Sequence, residues 1–377
     1  MRKSTRCFFA WMSGLGLILT LLVGSVLAAE MPDGWPWRGV TSDIDAIRKH
    51  PEIIDFFGNE DIRFVRLHIN VFNLMSDHHL SAEKALDFAL MASKEVARNL
   101  ADKNIKSIVS IADFPVDKHQ CIYKSKENYW DKNGKCVQQI YKFVNKTVDM
   151  MSASEIVGYE FLSEPVVKKK VSRFPQRYSQ PDNWVEIFKE ILNIVRKKDK
   201  ERYVIFSLGP WAFPDNYSSF KPFADERIIY DIHMYQPLLY AFQGIKGHKD
   251  GIYYPGVIPT REIFPTYDRF PNDYWDKKTL EEILRPARIF EEKYHVPVLV
   301  GEFGAVLWAP NSNRYLGDLL SVFQANNWGW IYFDIGSRWH GFDARFVPYK
   351  KNGKYRFRYA GHSTKRMKIL REYFKKQ

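Results

Sequence analysis

Two stretches of this chain end a buried-type apolar run in a glutamate. In Val296-Pro297-Val298-Leu299-Val300-Gly301-Glu302-Phe303-Gly304 the carboxylate stands between two glycines. In Ile156-Val157-Gly158-Tyr159-Glu160-Phe161-Leu162-Ser163-Glu164-Pro165 a proline follows it and stops the strand. Continuous apolar runs of this kind suit strands buried on both faces of a parallel sheet. A glutamate directly after such a run lies at the C-terminal end of the strand, the face that carries the active site in β/α barrels. Two strands that each deliver a carboxylate to one rim supply the pair of acidic groups that cleaves a glycosidic bond. Taken singly, each glutamate reads equally well as a strand-end residue paired with an arginine. Both together, inside a strand–helix alternation, favour the chemical reading.

The elements that must position these groups alternate along the chain. Strand candidates are Trp37 to Val40, Ile62 to Ile69 with Arg66 and His68, Ile105 to Ala112, and the run ending at Glu164. They continue with Arg202 to Ser207, Arg227 to Met234, the run ending at Glu302, and Trp328 to Phe333. Between them lie helical patterns. The first ends near Phe57-Gly58, and the second is capped by Ser81 and runs to about Lys103. Others cover Val137 to Met151, Asp182 to Lys198, Lys278 to Tyr294 and Asn313 to Asn326, and His362 to Lys376 closes the chain. Eight strands alternating with helices, with no composition shift to mark a second domain, predict an α/β fold: a single (β/α)8 TIM barrel within residues 29–377. A loop of roughly 40 residues after the sixth strand is dense in aromatics, and loops of that length in a compact domain are usually functional. It holds Tyr240, Phe242, Tyr253, Tyr254, Phe264, Tyr267, Phe270, Tyr274 and Trp275. A self-packed flap is the plainer reading of the same residues. No internal repeat or low-complexity segment is visible.

The chain has 377 residues, a hydrophobic content of 45% and an aromatic content of 16%. The aromatics suit a protein that stacks flat ligands, since sugar rings present apolar faces to Trp and Tyr. Arg2, Lys3 and Arg6 precede an apolar run from Cys7 to Leu27, and Val26-Leu27-Ala28 before Ala29 has the form of a cleavage site. Residues 1–28 are expected to be a signal peptide or, since the run could span a bilayer, an uncleaved anchor. Either way the bulk of the chain is exported (secreted, periplasmic or in the cell envelope). Removing the leader takes three positive charges from a net +12, leaving +12 − 3 = +9. That basicity suits an acidic polysaccharide, lipid headgroups or cell wall. The charges are scattered, as at Lys168-Lys169-Lys170 and in the closing helix, and a solvated helix face is the preferred reading of them. No nucleic-acid module is recognisable. Cys121 and Cys136 form an even pair in an exported chain and predict a disulfide. It would close a loop of about 15 residues, worth about 3 kcal/mol in the loop-entropy model. No metal or other cofactor is expected, since the histidines are scattered and His78-His79 lacks the spacing of a zinc helix.

Four stretches, in order and each on its strand, carry a resemblance. They are Phe64-Val65-Arg66-Leu67 on strand two, Leu162-Ser163-Glu164-Pro165 ending strand four, His233-Met234-Tyr235 ending strand six, and Gly301-Glu302-Phe303-Gly304 on strand seven. From Gly34 to Phe374 the chain resembles glycoside hydrolase family 5, the cellulase and mannanase family of the clan A barrels. The resemblance implies a retaining β-glycosidase with Glu164 as general acid/base and Glu302 as nucleophile. Arg66 would hold the nucleophile ionised, Tyr235 would orient its second oxygen, and His233 would line the subsite at the cleavage point. Glu164 would have the higher pKa, beside a carboxylate in a dry cleft.

The chain departs from the family pattern at three places. Ser163 stands where the family has an Asn that donates to the sugar 2-hydroxyl. Strand three ends Ile111-Ala112-Asp113-Phe114, where a His is usual. Phe333 stands where the family has a Trp platform, and Trp308 or Trp339 are the alternatives. The resulting expectation is an exported endo-acting hydrolase of a β-linked polysaccharide or oligosaccharide, its sugar and linkage unread. Two rivals stand beside it. One is a catalytically impaired carbohydrate-binding barrel in an envelope or polysaccharide assembly, and the other is a transglycosylase using the same carboxylates.

Overall fold

A computed structural model describes residues 31–114, 121, 126–168, 178–245, 248–258, 274–337 and 340–376. The expected leader, Lys169, Lys170, Phe264, Tyr267, Phe270 and Trp339 lie outside the described residues. Eight strands close into an all-parallel barrel: β1 (Arg38–Asp43), β2 (Phe64–Ile69), β3 (Lys106–Ile111), β4 (Gly158–Phe161), β5 (Tyr203–Ser207), β6 (Ile228–Met234), β7 (Val298–Phe303) and β8 (Gly329–Tyr332). Each strand pairs with its sequence neighbours, and β1 pairs with β8 to close the ring. The predicted barrel is the observed one.

The helices follow from their signals. Ser81 Oγ accepts from Lys84 N–H at 3.4 Å and starts the helix Ala82–Ala101, whose buried residues Ala85, Leu86, Ala89, Leu90, Val96 and Ala97 recur on one face. The first predicted helix is two, Ile44–Lys49 and Ile53–Asn59, because Pro51 between them has no N–H to continue the ladder. A helix not foreseen, Val71–His78, is started by Asn70, whose side chain accepts from Asn73 N–H at 3.0 Å. A second unforeseen feature is an antiparallel hairpin after β8, formed by β9 (Phe346–Lys351) and β10 (Lys354–Tyr359). Among the described residues no helix is long and apolar enough to cross a membrane.

The barrel interior is layered. Trp37, Phe64, Ile108, Tyr203, Ile205, Ile229, Leu299 and Ile331 fill its N-terminal end as one apolar plug. Two residues further along their strands, on the same inward face, come Arg66, Ser110, Ser207 and Asp231, and Glu160 on β4 joins them; all are buried. One more step brings His68 and His233 to the rim. The period-two alternation thus changes the interior from apolar to ionic as the chain approaches the C-terminal face.

Candidate active site

Glu302 is delivered by an irregularity in β7. Val300 pairs with Ile232 and Glu302 with His233, so Gly301 is an extra residue opposite β6. Its N–H donates to Asp231 Oδ1 at 2.8 Å. A Cβ at position 301 would lie 2.2 Å from that oxygen, which is why only glycine fits before the glutamate. Asp231 is itself buried and accepts from Ser207 Oγ at 3.0 Å.

Both oxygens of Glu302 are engaged. Arg66 Nη1 donates to Oε1 at 2.6 Å, and the Tyr235 hydroxyl donates to Oε2 at 3.0 Å. Arg66 Nε donates to Glu160 Oε2 at 2.6 Å, so one guanidinium joins two buried carboxylates. Burial alone raises the Glu302 pKa, but His233 and Arg66 outweigh it and lower the value to about 2. Burial pushes the Tyr235 hydroxyl well above its usual value, with the Glu302 charge adding to the effect, so it remains a donor.

Glu164 arrives differently. β4 ends at Phe161, three residues earlier than the sequence suggested, because Leu162 and Glu164 both take left-handed backbone at φ 58° and 53°. Non-glycine residues there carry strain that surrounding structure must hold, a feature that clusters at functional sites. Glu164 Oε1 lies 2.8 Å from His233 Nδ1, and its side chain is 31% exposed against 13% for Glu302. The other ring nitrogen, His233 Nε2, lies 3.0 Å from Asp231 Oδ2. Burial lowers the imidazole pKa, yet the carboxylates of Glu302 and Asp231 hold it well above its ordinary value. A carboxylate oxygen of Glu164, a His233 nitrogen and a Glu302 oxygen all lie within 4.8 Å of one another. Metal-like donor sets exist here and at Glu160, Asp231 and His233. Their carboxylates are already engaged by Arg66, Tyr235 and the imidazole.

Of the predicted site residues, the structure brings together Glu164, Glu302, Arg66, His233 and Tyr235, with Ser163 buried beside Glu164. Phe333 follows β8, its ring edge-on to Tyr235 with centroids 6.4 Å apart. The Trp308 ring stacks on Tyr355 of β10 at 4.3 Å and its Nε1 donates to the Gln243 carbonyl. Cys121 and Cys136 form the expected disulfide, with Cα atoms 5.7 Å apart.

Glu160 and Asp231 were not singled out from the sequence, and His68 was named on its strand without a role. Glu160 is the counter-charge of Arg66, and Asp231 braces both the Gly301 turn and His233. His68 stands two residues past Arg66, and its buried Nδ1 has no hydrogen-bond partner among the described residues. Burial and the neighbouring Arg66 lower the His68 pKa. A signal was available: an acid within a β-run at even spacing from inward apolar residues belongs to the barrel interior.

A family model described as cellulase (glycosyl hydrolase family 5) matches residues 32–338. Endoglucanase C of Acetivibrio thermocellus is 24% identical over 233 residues, which is 57% of this chain and 62% of that protein. Endoglucanase C307 of a Clostridium species matches to the same extent. The chain therefore spans less than two thirds of the length of these curated relatives. Among solved structures, Cel5A of Thermotoga maritima with cellobiose aligns at a TM-score of 0.59 and 18% identity, covering 90% of this chain and 97% of that one. Cellulose synthase subunit Z of Clostridioides difficile aligns at 0.57 and 16%, covering 88% and 99%. At these identities the alignments speak to the fold.

Proposed function

Because the chain belongs to glycosyl hydrolase family 5, we propose that it is a retaining hydrolase of a β-linked polysaccharide, with Glu302 as nucleophile and Glu164 as general acid/base. The observation that carries this reading is the proximity of the two carboxylates. Oxygens of Glu164 and Glu302 lie within 4.8 Å, and retaining enzymes hold their carboxyl groups about 5–5.5 Å apart, too close to admit the water of an inverting attack. The same proximity favours the hydrolase over a barrel that only binds sugar.

In the first step a Glu302 oxygen bonds to the anomeric carbon, the glycosidic bond breaks, and the leaving oxygen takes the proton of Glu164. In the second, Glu164 takes a proton from water, the resulting oxygen bonds to the anomeric carbon, and the ester to Glu302 breaks. Glu302 suits the first role because Arg66 and His233 keep it ionised and Tyr235 fixes its plane. Glu164 suits the second because its side chain is the more exposed of the two, in reach of a leaving group and of water. His233, bridging Glu164 and Asp231, is positioned to hold the acid/base in place as its proton leaves and returns. Ser163 is assigned to the same subsite by its place before Glu164, and Phe333, edge-on to Tyr235, is the aromatic assigned as its platform.

The names of the curated relatives support an endo-acting enzyme and make β-glucan the first substrate to try. Residues 1–28 are read as the leader, cleaved or retained as an anchor, and residues 29–377 as the exported hydrolase domain. Reducing-end release from a panel of β-glucans, mannans and xylans, with Glu302→Gln protein alongside, tests the activity. Proton NMR of the first product tests the stereochemistry: a β-anomer at early times is expected, and an initial α-anomer would overturn the retaining assignment.

A further inference from the structure

The hairpin after β8 belongs to the catalytic rim and is not explained by the chemistry above. Asn352-Gly353 closes it, both residues at positive φ (51° and 71°), as a tight two-residue turn requires. Strand alternation gives it two unlike faces. One holds Phe346, Tyr355 and Phe357, which pack on the barrel through His340 and Trp308. Asp250 fastens the same face, accepting from Lys350 Nζ at 3.0 Å and from the Tyr355 hydroxyl.

The opposite face carries Lys351, Lys354, Arg356 and Arg358, with Tyr349 paired to Arg356 across the strands. All four cations are exposed, Tyr349 is 49% exposed, and none of the four has an ion-pair partner among the described residues. No Asp or Glu occurs anywhere between Phe346 and Tyr359. At the hairpin's base a cleft of about 550 Å³ opens between Tyr359 and the segment after β1. Phe346 and Tyr359 of the hairpin line it together with Gly336, Ser337 and Arg345.

We propose that the outward face of this hairpin binds the acidic substituents of a polysaccharide, so that the substrate class is an anionic β-linked glycan. The inference rests on the hydrolase reading for its location and on charge for its chemistry. Lys354, Arg356 and Arg358 form a row along one strand, with charges repeating every ~7 Å, the two-residue rise of an extended strand. Such a row matches a linear polymer bearing carboxylates or other anionic groups at intervals. Tyr349 in the middle of the face offers a ring for a sugar to lie against. The inward face of the same hairpin meets a carboxylate, Asp250, whereas the outward face has none among the described residues.

The test compares two polymers of one backbone, carboxymethyl cellulose and hydroxyethyl cellulose, by affinity electrophoresis of the full chain carrying Glu302→Gln. Binding tighter to the acidic polymer is expected. In the additional triple variant Lys354→Ser/Arg356→Ser/Arg358→Ser the acidic-to-neutral affinity ratio should fall about tenfold, and raising the salt should lower it likewise in the unaltered hairpin. Arg356→Ser alone and the salt series carry the same reading if the triple variant does not fold. An unchanged ratio, or equal binding of both polymers by the unaltered hairpin, overturns the proposal. So does a triple variant that loses sedimentation with phosphatidylglycerol vesicles but keeps its polymer ratio, which would make the face a membrane contact. Because the Glu302→Gln protein does not turn over, these readouts stand apart from hydrolysis: absence of reducing-end release by unaltered protein would remove the hydrolase and leave the affinity ratio to report on the hairpin.

Discussion

Two groups of charges share one rim of this barrel and are built in opposite ways. Around Glu302 the charges are paired at close range: Arg66 bridges Glu160 and Glu302 at 2.6 Å each, and His233 lies 3.0 Å from Asp231. On the outward face of the hairpin the four cations are exposed and have no ion-pair partner among the described residues. Buried ions cost several kcal/mol each to desolvate and survive only with close partners, so the inner network is rigid and barely touched by salt. Exposed ions cost nothing to keep, act over about a Debye length, and weaken as salt rises. The first arrangement fixes reacting groups; the second attracts and orients a polymer.

The largest effect should come from breaking the inner network at its centre. Glu302→Gln removes the nucleophile and should lower kcat by about 10³-fold or more while leaving polymer affinity measurable. A loss smaller than tenfold would move the chemistry elsewhere. Tyr235→Phe keeps the ring and removes one donor to Glu302; kcat should fall about 100-fold with KM little changed, the size seen when a single oriented donor is lost.

Asp231→Asn tests whether the support behind both glutamates matters. Its remaining oxygen can still accept from Gly301, but its new amide is a poor neighbour for an imidazole N–H. A loss of about tenfold in kcat is expected. An altered pH profile is also expected, because a carboxylate that raises the His233 pKa is gone. A uniform fall in stability with an unshifted profile would make Asp231 structural only.

The pH dependence of stability gives a smaller signature. The folded-state pKa of Glu302, about 2, lies below that of an unfolded glutamate. Its pairing with Arg66 therefore stabilises the fold fully above the unfolded value and is lost as pH falls toward 2. Urea midpoints measured downward from about pH 5 should drop less steeply in Glu302→Gln than in the parent. Parallel curves would mean that the ion pair contributes nothing net. The mildest effect belongs to the outer group: salt and hairpin neutralisation should change the acidic-to-neutral preference about tenfold while leaving the depth of the pH dependence alone.

Much of this molecule is legible in one dimension. The apolar runs ending at Glu164 and Glu302, the strand–helix alternation and the pair Cys121–Cys136 foretold the barrel and the disulfide, because period, length and spacing are local properties. The Asn352-Gly353 turn was equally local and went unread. What could not be read is partnership. That Arg66 meets Glu160 as well as Glu302, that Asp231 takes the Gly301 N–H, and that Tyr355 covers Trp308 all depend on residues far apart in sequence that the folded chain brings together. Barrel closure sets which inward side chains share a layer, and burial then decides which charges must pair. The sequence by itself determined the carboxylates and the strands that carry them. Only the tertiary structure decided their separation, their ionisation and which cations were left facing out, because distance and dielectric exist only once the barrel has closed.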